Sequence, residues 1–293
     1  MKNLTNNQIG SLYCLISGLM YGLLGYFGIQ IMNENISIPN MMFWRFLIAS
    51  IIIFIIILPQ IGGLNLKLKS LIAPFISGVV LYGYGSGIYF MACRYIGTGL
   101  SIIIFFTYPA IVIFCNWLLY KTKVTNIYYM SIFMILLGMI LLVDKNDIAF
   151  DLYGISLAAI SALWYALYIL VSKKQTTTLP PLVLTLMVTS GSAVSGLGLS
   201  YFDGSFIIPD KITIWGNICG IAIICTSIPI LFLLKGMKYI SSEKASILSV
   251  LEPLGIYIVG ITILEEKVNI VQTIGVVTIL LGALLVQFEK PQS

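Results

Sequence analysis

One acidic side chain in this sequence stands where acids are rarely kept. Glu252 falls near the middle of the apolar stretch 241–263, and Pro253 follows it directly. On insertion scales an ionisable side chain at the centre of a membrane-spanning helix costs about 2.5–3.5 kcal/mol. Such a group is tolerated beside a cavity or a partner, and a carboxyl group held away from water is a candidate proton carrier. Two roles stay open here: Glu252 binds substrate or a proton, or it is a neutral group that ties helices together. Pro253 removes one backbone donor and leaves the carbonyl of Ser249 without its helical partner, as Pro109 does for the carbonyl of Phe105. Backbone freed at membrane depth must face protein or a water-filled cavity. Each proline therefore kinks a helix for packing, shapes a site, or does both.

Helical steps of three and four residues extend this position into a stripe, Ser242, Ala245, Ser249 and Glu252. A second stripe runs Ser101, Phe105, Tyr108. Ser17 with Tyr21, and Ser161 with Tyr165, form four-step pairs, and Trp164 sits beside the second. Together these are expected to line a central cavity. Helix–helix hydrogen bonding and aromatic packing are the plainer reading of any one of them. Arg45 is the other charge inside a span. It holds an anionic substrate group, snorkels to the interface, or pairs within the protein.

Other chemistries are short of groups. There are no histidines, which removes imidazole metal sites and proton relays. The five cysteines form no CxxC pair and read as small packing residues. Carboxylates do not cluster, so catalysis has few groups to draw on, and no enzyme activity, metal or cofactor is expected. Gly83-Tyr84-Gly85-Ser86-Gly87 lacks the Lys-Ser/Thr of a phosphate loop and reads as a close helix contact.

The elements that must position these residues follow from composition. Of 293 residues 59% are hydrophobic and 9% charged, and the mean hydropathy is +1.03. Soluble domains carry roughly 25% charged residues, so this chain cannot cover a water-facing surface and its solvent is largely lipid. A spanning helix needs roughly 20 mostly apolar residues. Ten such windows are expected, at about 8–30, 39–58, 71–92, 98–119, 126–143, 152–172, 181–201, 213–234, 241–263 and 269–288. The first runs on through Tyr26, Phe27 and Ile29 with no small-x-small site, unlike a cleaved signal.

Basic residues collect in cytoplasmic loops. With the N-terminus inside, the inside loops hold Lys2, Lys67, Lys69, Lys121, Lys123, Lys173, Lys174, Lys235, Lys238, Lys244 and Lys290. The outside loops hold Arg94, Lys145, Lys211 and Lys267. Both termini are thus expected in the cytoplasm, the site being the plasma membrane. The net charge of +5 is a topology signal and needs no nucleic-acid partner.

The chain also resembles itself at an offset of 144 positions. Gly10 meets Gly154, Ser17 meets Ser161, Tyr21 meets Tyr165, Tyr95-Ile96 meets Tyr239-Ile240, and Pro109 meets Pro253. Lys123-Val124 meets Lys267-Val268, and Ile135-Leu136-Leu137-Gly138 meets Ile279-Leu280-Leu281-Gly282. Gly85 pairs with Pro229 as a second matched weak point, Tyr108 pairs with Glu252, and Arg45 pairs with Thr189. The expectation is an all-α membrane protein of ten transmembrane helices, built as two five-helix repeats, 1–147 and 148–293. Five is odd, so the second repeat enters the membrane inverted. In transporters of this design, sites lie near the midplane where helices are interrupted.

A family resemblance attaches to particular runs. Tyr89-Phe90-Met91-Ala92-Cys93-Arg94-Tyr95-Ile96, Phe106-Thr107-Tyr108-Pro109-Ala110, Glu252-Pro253, Leu264-Glu265-Glu266 and Phe43-Trp44-Arg45-Phe46 resemble signatures of the EamA branch of the drug/metabolite transporter superfamily. Met20-Tyr21-Gly22 departs from the Trp-Gly common in that family. The resemblance covers nearly the whole chain and implies ten helices, an inverted repeat, and carriage of amino acids, amines, nucleotides or similar metabolites, often outward. The expected function is a secondary active carrier working by alternating access, proton-coupled or facilitated. Its partners would be a small-molecule substrate, the lipid bilayer and a proton, in a monomer or homodimer. A non-transporting membrane subunit or a lipid translocator is the alternative.

Overall fold

The computed structural model describes residues 5–63, 66–121, 125–143, 150–263 and 269–288. The Leu264-Glu265-Glu266 run, the Lys123-Val124 and Lys267-Val268 match, and the repeat boundary at 147 lie outside these residues. The described chain is helical, and no strand is found among the described residues. We number its spans α1 (Asn6–Met32), α2 (Ile38–Gln60), α3 (68–96), α4 (98–120), α5 (Asn126–Leu142), α6 (Leu152–Gln175), α7 (Pro181–Phe202), α8 (Ile212–Met237), α9 (Ser242–Thr262) and α10 (Ile270–Phe288).

The third and fourth spans differ in detail from the expected windows. Helical hydrogen bonding runs with little interruption from Leu68 to Phe105, yet the chain turns at Gly97, with φ 75° and ψ 163°. That conformation is open to glycine and strained for other residues. The turn is sharp. Tyr89 and Phe105 are 16 residues apart, about 24 Å along a straight helix, yet their rings meet at 5.1 Å. Two antiparallel spans therefore lie on either side of Gly97.

Side-chain caps fix several starts. Thr5 with Gln8, and Asn269 with Gln272, form capping boxes for α1 and α10. Ser37, Asp151 and Ser241 accept from the backbone N–H groups of Asn40, Gly154 and Lys244.

The two repeats interlock pairwise. α1 packs on α8 and α3 on α6, while α2 lies against α7, α5 against α10, and α4 against α9. Glycine contacts show the pseudo-two-fold relation directly. A Cβ placed on Gly10 would stand 2.8 Å from Tyr239 Cβ and 2.9 Å from Ile240 Cγ2. One placed on Gly154 would stand 2.6 Å from Tyr95 Cβ and 2.7 Å from Ile96 Cγ2. These are the same two contacts shifted by the repeat offset. Between α5 and α10, Gly138 faces the backbone of Gly275 as Gly282 faces that of Ser131. Small residues let the helix backbones approach, which drives helix association where lipid supplies no hydrophobic force.

Matched interruptions sit inside the bundle. α3 widens into a π-helix over Gly78–Tyr84 and α8 over Ile223–Ser227, just before Gly85 and near Pro229. Pro229 has no N–H to give the carbonyl of Cys225, which favours the wider register there. α4 breaks at Phe106–Thr107 and α9 at Ser249–Leu251, and the chain resumes helix at Tyr108 and Glu252. Pro109 and Pro253 each occupy the first turn of the resumed half, where a missing N–H costs nothing. One break has no twin: α1 loosens at Gly22–Leu23, while α6 runs unbroken.

Candidate functional site

The interruptions converge on a cavity. Its wall takes Tyr21 and Leu24 from α1, Arg45 from α2, and Leu81, Tyr82, Gly85, Ser86, Tyr89 and Phe90 from α3. Ile102, Phe105, Phe106 and Tyr108 come from α4, Tyr165 from α6, and Ser249 and Glu252 from α9. The space open to the centre of a water-sized sphere is about 80 Å³. One water needs about 10–15 Å³ on that measure, so the cavity holds several waters or a compact solute.

The resumption of α4 and α9 places Tyr108 and Glu252 side by side at half-helix N-termini. Backbone N–H groups at such an end have no helical partner, and the helix dipole is positive there. The Tyr108 hydroxyl meets Ser249 Oγ at 2.8 Å and donates to the carbonyl of Ser246 at 3.1 Å. Ser249 Oγ lies 2.9 Å from that same carbonyl, so two hydroxyl protons serve three contacts and at most two are donated at a time. Further along, Asn116 Nδ2 donates to Ser242 Oγ at 2.8 Å. The Ser242-to-Glu252 stripe is thus the seam between α4 and α9, and its Ser249–Glu252 end opens into the cavity.

Aromatic rings form most of the remaining wall. The Tyr21 and Tyr82 hydroxyls share a 2.8 Å hydrogen bond. Tyr165 stands edge-on to Tyr108 with ring centres 4.7 Å apart, and lies 5.3 Å from Phe105. Arg45 is buried and does not snorkel; its guanidinium stands 4.5 Å from the Phe46 ring centre, beside Tyr82. Its Nε has no hydrogen-bond partner among the described residues. Arg45 and Glu252 make no ion pair with one another.

Of the positions singled out by spacing, the structure brings Glu252, Tyr108, Tyr21, Tyr165, Ser249, Phe105 and Gly85 into the cavity wall. It leaves Ser101, Ser242 and Ala245 of the two stripes outside, and with them Ser17, Ser161 and Trp164. Ser17 is buried and donates to the carbonyl of Pro229 on α8 at 2.7 Å. Ser161 is buried and donates to the carbonyl of Ala158 at 2.8 Å. Trp164 backs onto Gly85, whose Cβ would lie 3.1 Å from Trp164 Cβ. Pro109, Pro253 and Pro229 shape the helices without lining the space. Spacing missed Tyr82, Ser86 and Tyr89, although steps of four and three put them on one face with Gly85.

Comparison with known proteins adds the relatives. A model of the EamA-like transporter family matches residues 8–144 and again 152–288. A curated protein of Archaeoglobus fulgidus named "Uncharacterized transporter" is 29% identical over 133 residues, 45% of this chain. The match spans about half of that relative's length, 47%. A solved structure titled "Crystal structure of protein" is similar in fold, with TM-score 0.77, 15% identity, and coverage of 94% of this chain and 95% of that one.

Proposed function

Because this chain belongs to the EamA-like transporter family, we propose that it is a secondary active carrier that exports small metabolites across the plasma membrane by alternating access. Amino acids, amines and related compounds are the substrates in view. The cavity is the substrate site, and Glu252 binds the substrate or a proton, which makes export proton-coupled or facilitated. Both termini lie in the cytoplasm, and the carrier works as a monomer or homodimer.

One observation carries the reading. The cavity is lined from α3 by residues whose repeat counterparts on α8 are packed differently. Tyr82, Ser86, Tyr89 and Phe90 line it from α3. Their counterparts on α8 at the repeat offset, Thr226, Ile230, Leu233 and Leu234, are all fully buried. Two near-equal halves packed in unequal ways are what a protein with two alternative packings presents in one of its states, and inverted repeats supply the second by exchanging roles.

The test is flux in proteoliposomes under an imposed pH gradient. Wild-type export is expected to depend on pH, and Glu252→Gln to lower the rate at least tenfold or flatten the pH profile. If rate and profile both survive Glu252→Gln, proton coupling at this site is lost and facilitated carriage remains.

A further inference from the structure

Buried side-chain oxygens without a hydrogen-bond partner are spread unevenly among the described residues. Asn7 Oδ1 and Ser11 Oγ stand on α1, and the Tyr168 hydroxyl, Ser172 Oγ and Gln175 Oε1 stand on α6. Two more, on Asn40 and Ser131, occur singly on α2 and α5. Tyr168 and Ser172 are near enough to interact with each other, yet one of their two hydroxyl protons still has no acceptor. Ser172 makes no bond to its own helix, whereas Ser161 and Thr176 on α6 each donate to a carbonyl three residues back. Both sets descend from the cavity. Steps of three and four lead from Tyr165 through Tyr168 and Ser172 to Gln175, and from Tyr21 through Gly18 and Cys14 to Ser11 and Asn7. α1 starts and α6 ends on the same side of the membrane, because the five crossings of the first repeat lie between their starts. The two faces come together at Cys14, which abuts Gly236 of α8 and lies near Lys173 of α6. Followed the other way from the same tyrosines, α1 carries Leu24, Gly28 and Ile31, and α6 carries Ser161, Ala158, Ile155 and Asp151. The polar groups on that side are engaged, Ser161 with the carbonyl of Ala158 and Asp151 as the cap of α6.

We propose that the region where α1, α6 and the end of α8 meet is the second mouth of the carrier, shut in this structure, with Asn7, Ser11, Tyr168, Ser172 and Gln175 as the wall that water and solute pass when it opens. The inference rests on the carrier reading above and deepens it by naming the shut side and its lining. A buried polar group without a partner weakens the packing that buries it, and hydration removes that cost. The shut arrangement carries such groups along both faces, and the open one carries them wet. The wall is therefore a built-in bias toward opening. In the shut form it is offset by packing and by the bonds of Lys173 to the carbonyls of Met237 and Ile240. Two arrangements close in energy are what alternating access requires. The length agrees as well. From Tyr165 to Gln175 the helix rises about 15 Å, half of the roughly 30 Å hydrocarbon core, which is the span from a midplane site to one surface.

The experiment uses the full chain with its five cysteines replaced, in vesicles whose N-terminal side faces the medium. A membrane-impermeant maleimide is added to Ser11→Cys, on the proposed wall, and to Ala158→Cys, equally buried on the other half of α6. Because the open form need be only a minor population, labelling of Ser11→Cys is expected to be slow, yet about tenfold faster than that of Ala158→Cys. The double variant Tyr168→Phe/Ser172→Ala then removes both members of one contact while nearly keeping their shape. Its melting midpoint in mild detergent is expected to rise by about 2 °C or more. In the Ser11→Cys background it is expected to slow labelling about fivefold. Gln175→Met carries the same expected signs and covers the case in which the double variant does not fold. Polar groups that serve the shut packing, directly or through ordered water, predict the opposite sign in the melt. A midpoint that falls or stays in the variants that fold, or Ser11→Cys as inert as Ala158→Cys, overturns the proposal. Labelling and melts as expected, with no solute flux in liposomes, sink the carrier reading and leave the opening seam standing. Flux with an inert Ser11→Cys does the reverse.

Discussion

Tyr108 and Glu252 hold the same place in the two repeats and act differently. Tyr108 is a structural knot, with its hydroxyl bonded to Ser249 and to the carbonyl of Ser246 while the ring is buried. Tyr108→Phe strips two buried partners of that contact and is expected to cost about 1–3 kcal/mol, read as a lowered unfolding midpoint in mild detergent. Tyr21→Phe removes a single bond, to the hydroxyl of Tyr82, a residue of the cavity wall. Its expected cost is smaller, about 1 kcal/mol or less, because one bond is lost and not two. Equal destabilisation by the two variants would contradict the distinction. At this scale the sequence was informative where one stripe carried both a proline break and polar groups, as at Ser249-to-Glu252. It overreached at Ser17 and Ser161. Helical spacing says which residues share a face, and it does not say whether that face meets a cavity or a neighbour's backbone.

Helices in this protein are defined as much by where they stop as by where they run. The breaks before Tyr108 and Glu252 follow from proline, and the turn at Gly97 follows from a backbone angle that glycine adopts freely. The loosening of α1 at Gly22–Leu23 has no such local cause; it coincides with the closest approach of α1 to α9. A Cβ on Gly255 would lie 2.5 Å from the carbonyl oxygen of Leu19 and 2.9 Å from Gly22 Cα, against backbone that cannot give way. Gly255→Leu is therefore expected to cost about 1–3 kcal/mol through overpacking and to slow transport. Gly25→Ala, three residues past Gly22 on α1, meets nothing within 4 Å. It is expected to be neutral or stabilising by up to about 1 kcal/mol. Paired melts of these two variants check the assignment, and a Gly255→Leu protein as stable as Gly25→Ala would refute it.

For the whole molecule, one contact at the end of α6 has no charged counterpart in the other repeat. Lys173, at the end of α6, donates to the carbonyls of Met237 and Ile240 (2.5 and 2.8 Å), joining α6 to the end of α8. Its repeat counterpart is Ile29, which has no charge to give. If the packing of α6 on the end of α8 must open for the cycle to run, these bonds must break. Lys173→Met is then expected to favour opening on the side of the chain ends. The readout is labelling of Ser249→Cys, in a background with the five native cysteines replaced, by a membrane-impermeant maleimide supplied from that side. A several-fold faster rate is expected, and an unchanged rate would count against the latch.

By itself the sequence determined the solvent, the number of spans and the duplication. Those depend on sums and periods: too few charges to face water, ten apolar windows of spanning length, and a register of Gly, Pro and Tyr matches 144 residues apart. It also located the breaks before Tyr108 and Glu252, because a proline's missing donor acts on its own helix wherever that helix lies. Tertiary structure alone decided that Arg45 turns inward, that Tyr82 and Tyr89 face the same space as Glu252, and that their counterparts on α8, Thr226 and Leu233, are fully buried. Each of these depends on which helix lies opposite. Local sequence fixes a side chain's direction on its own helix, but the neighbour it meets is set by the packing of the other nine.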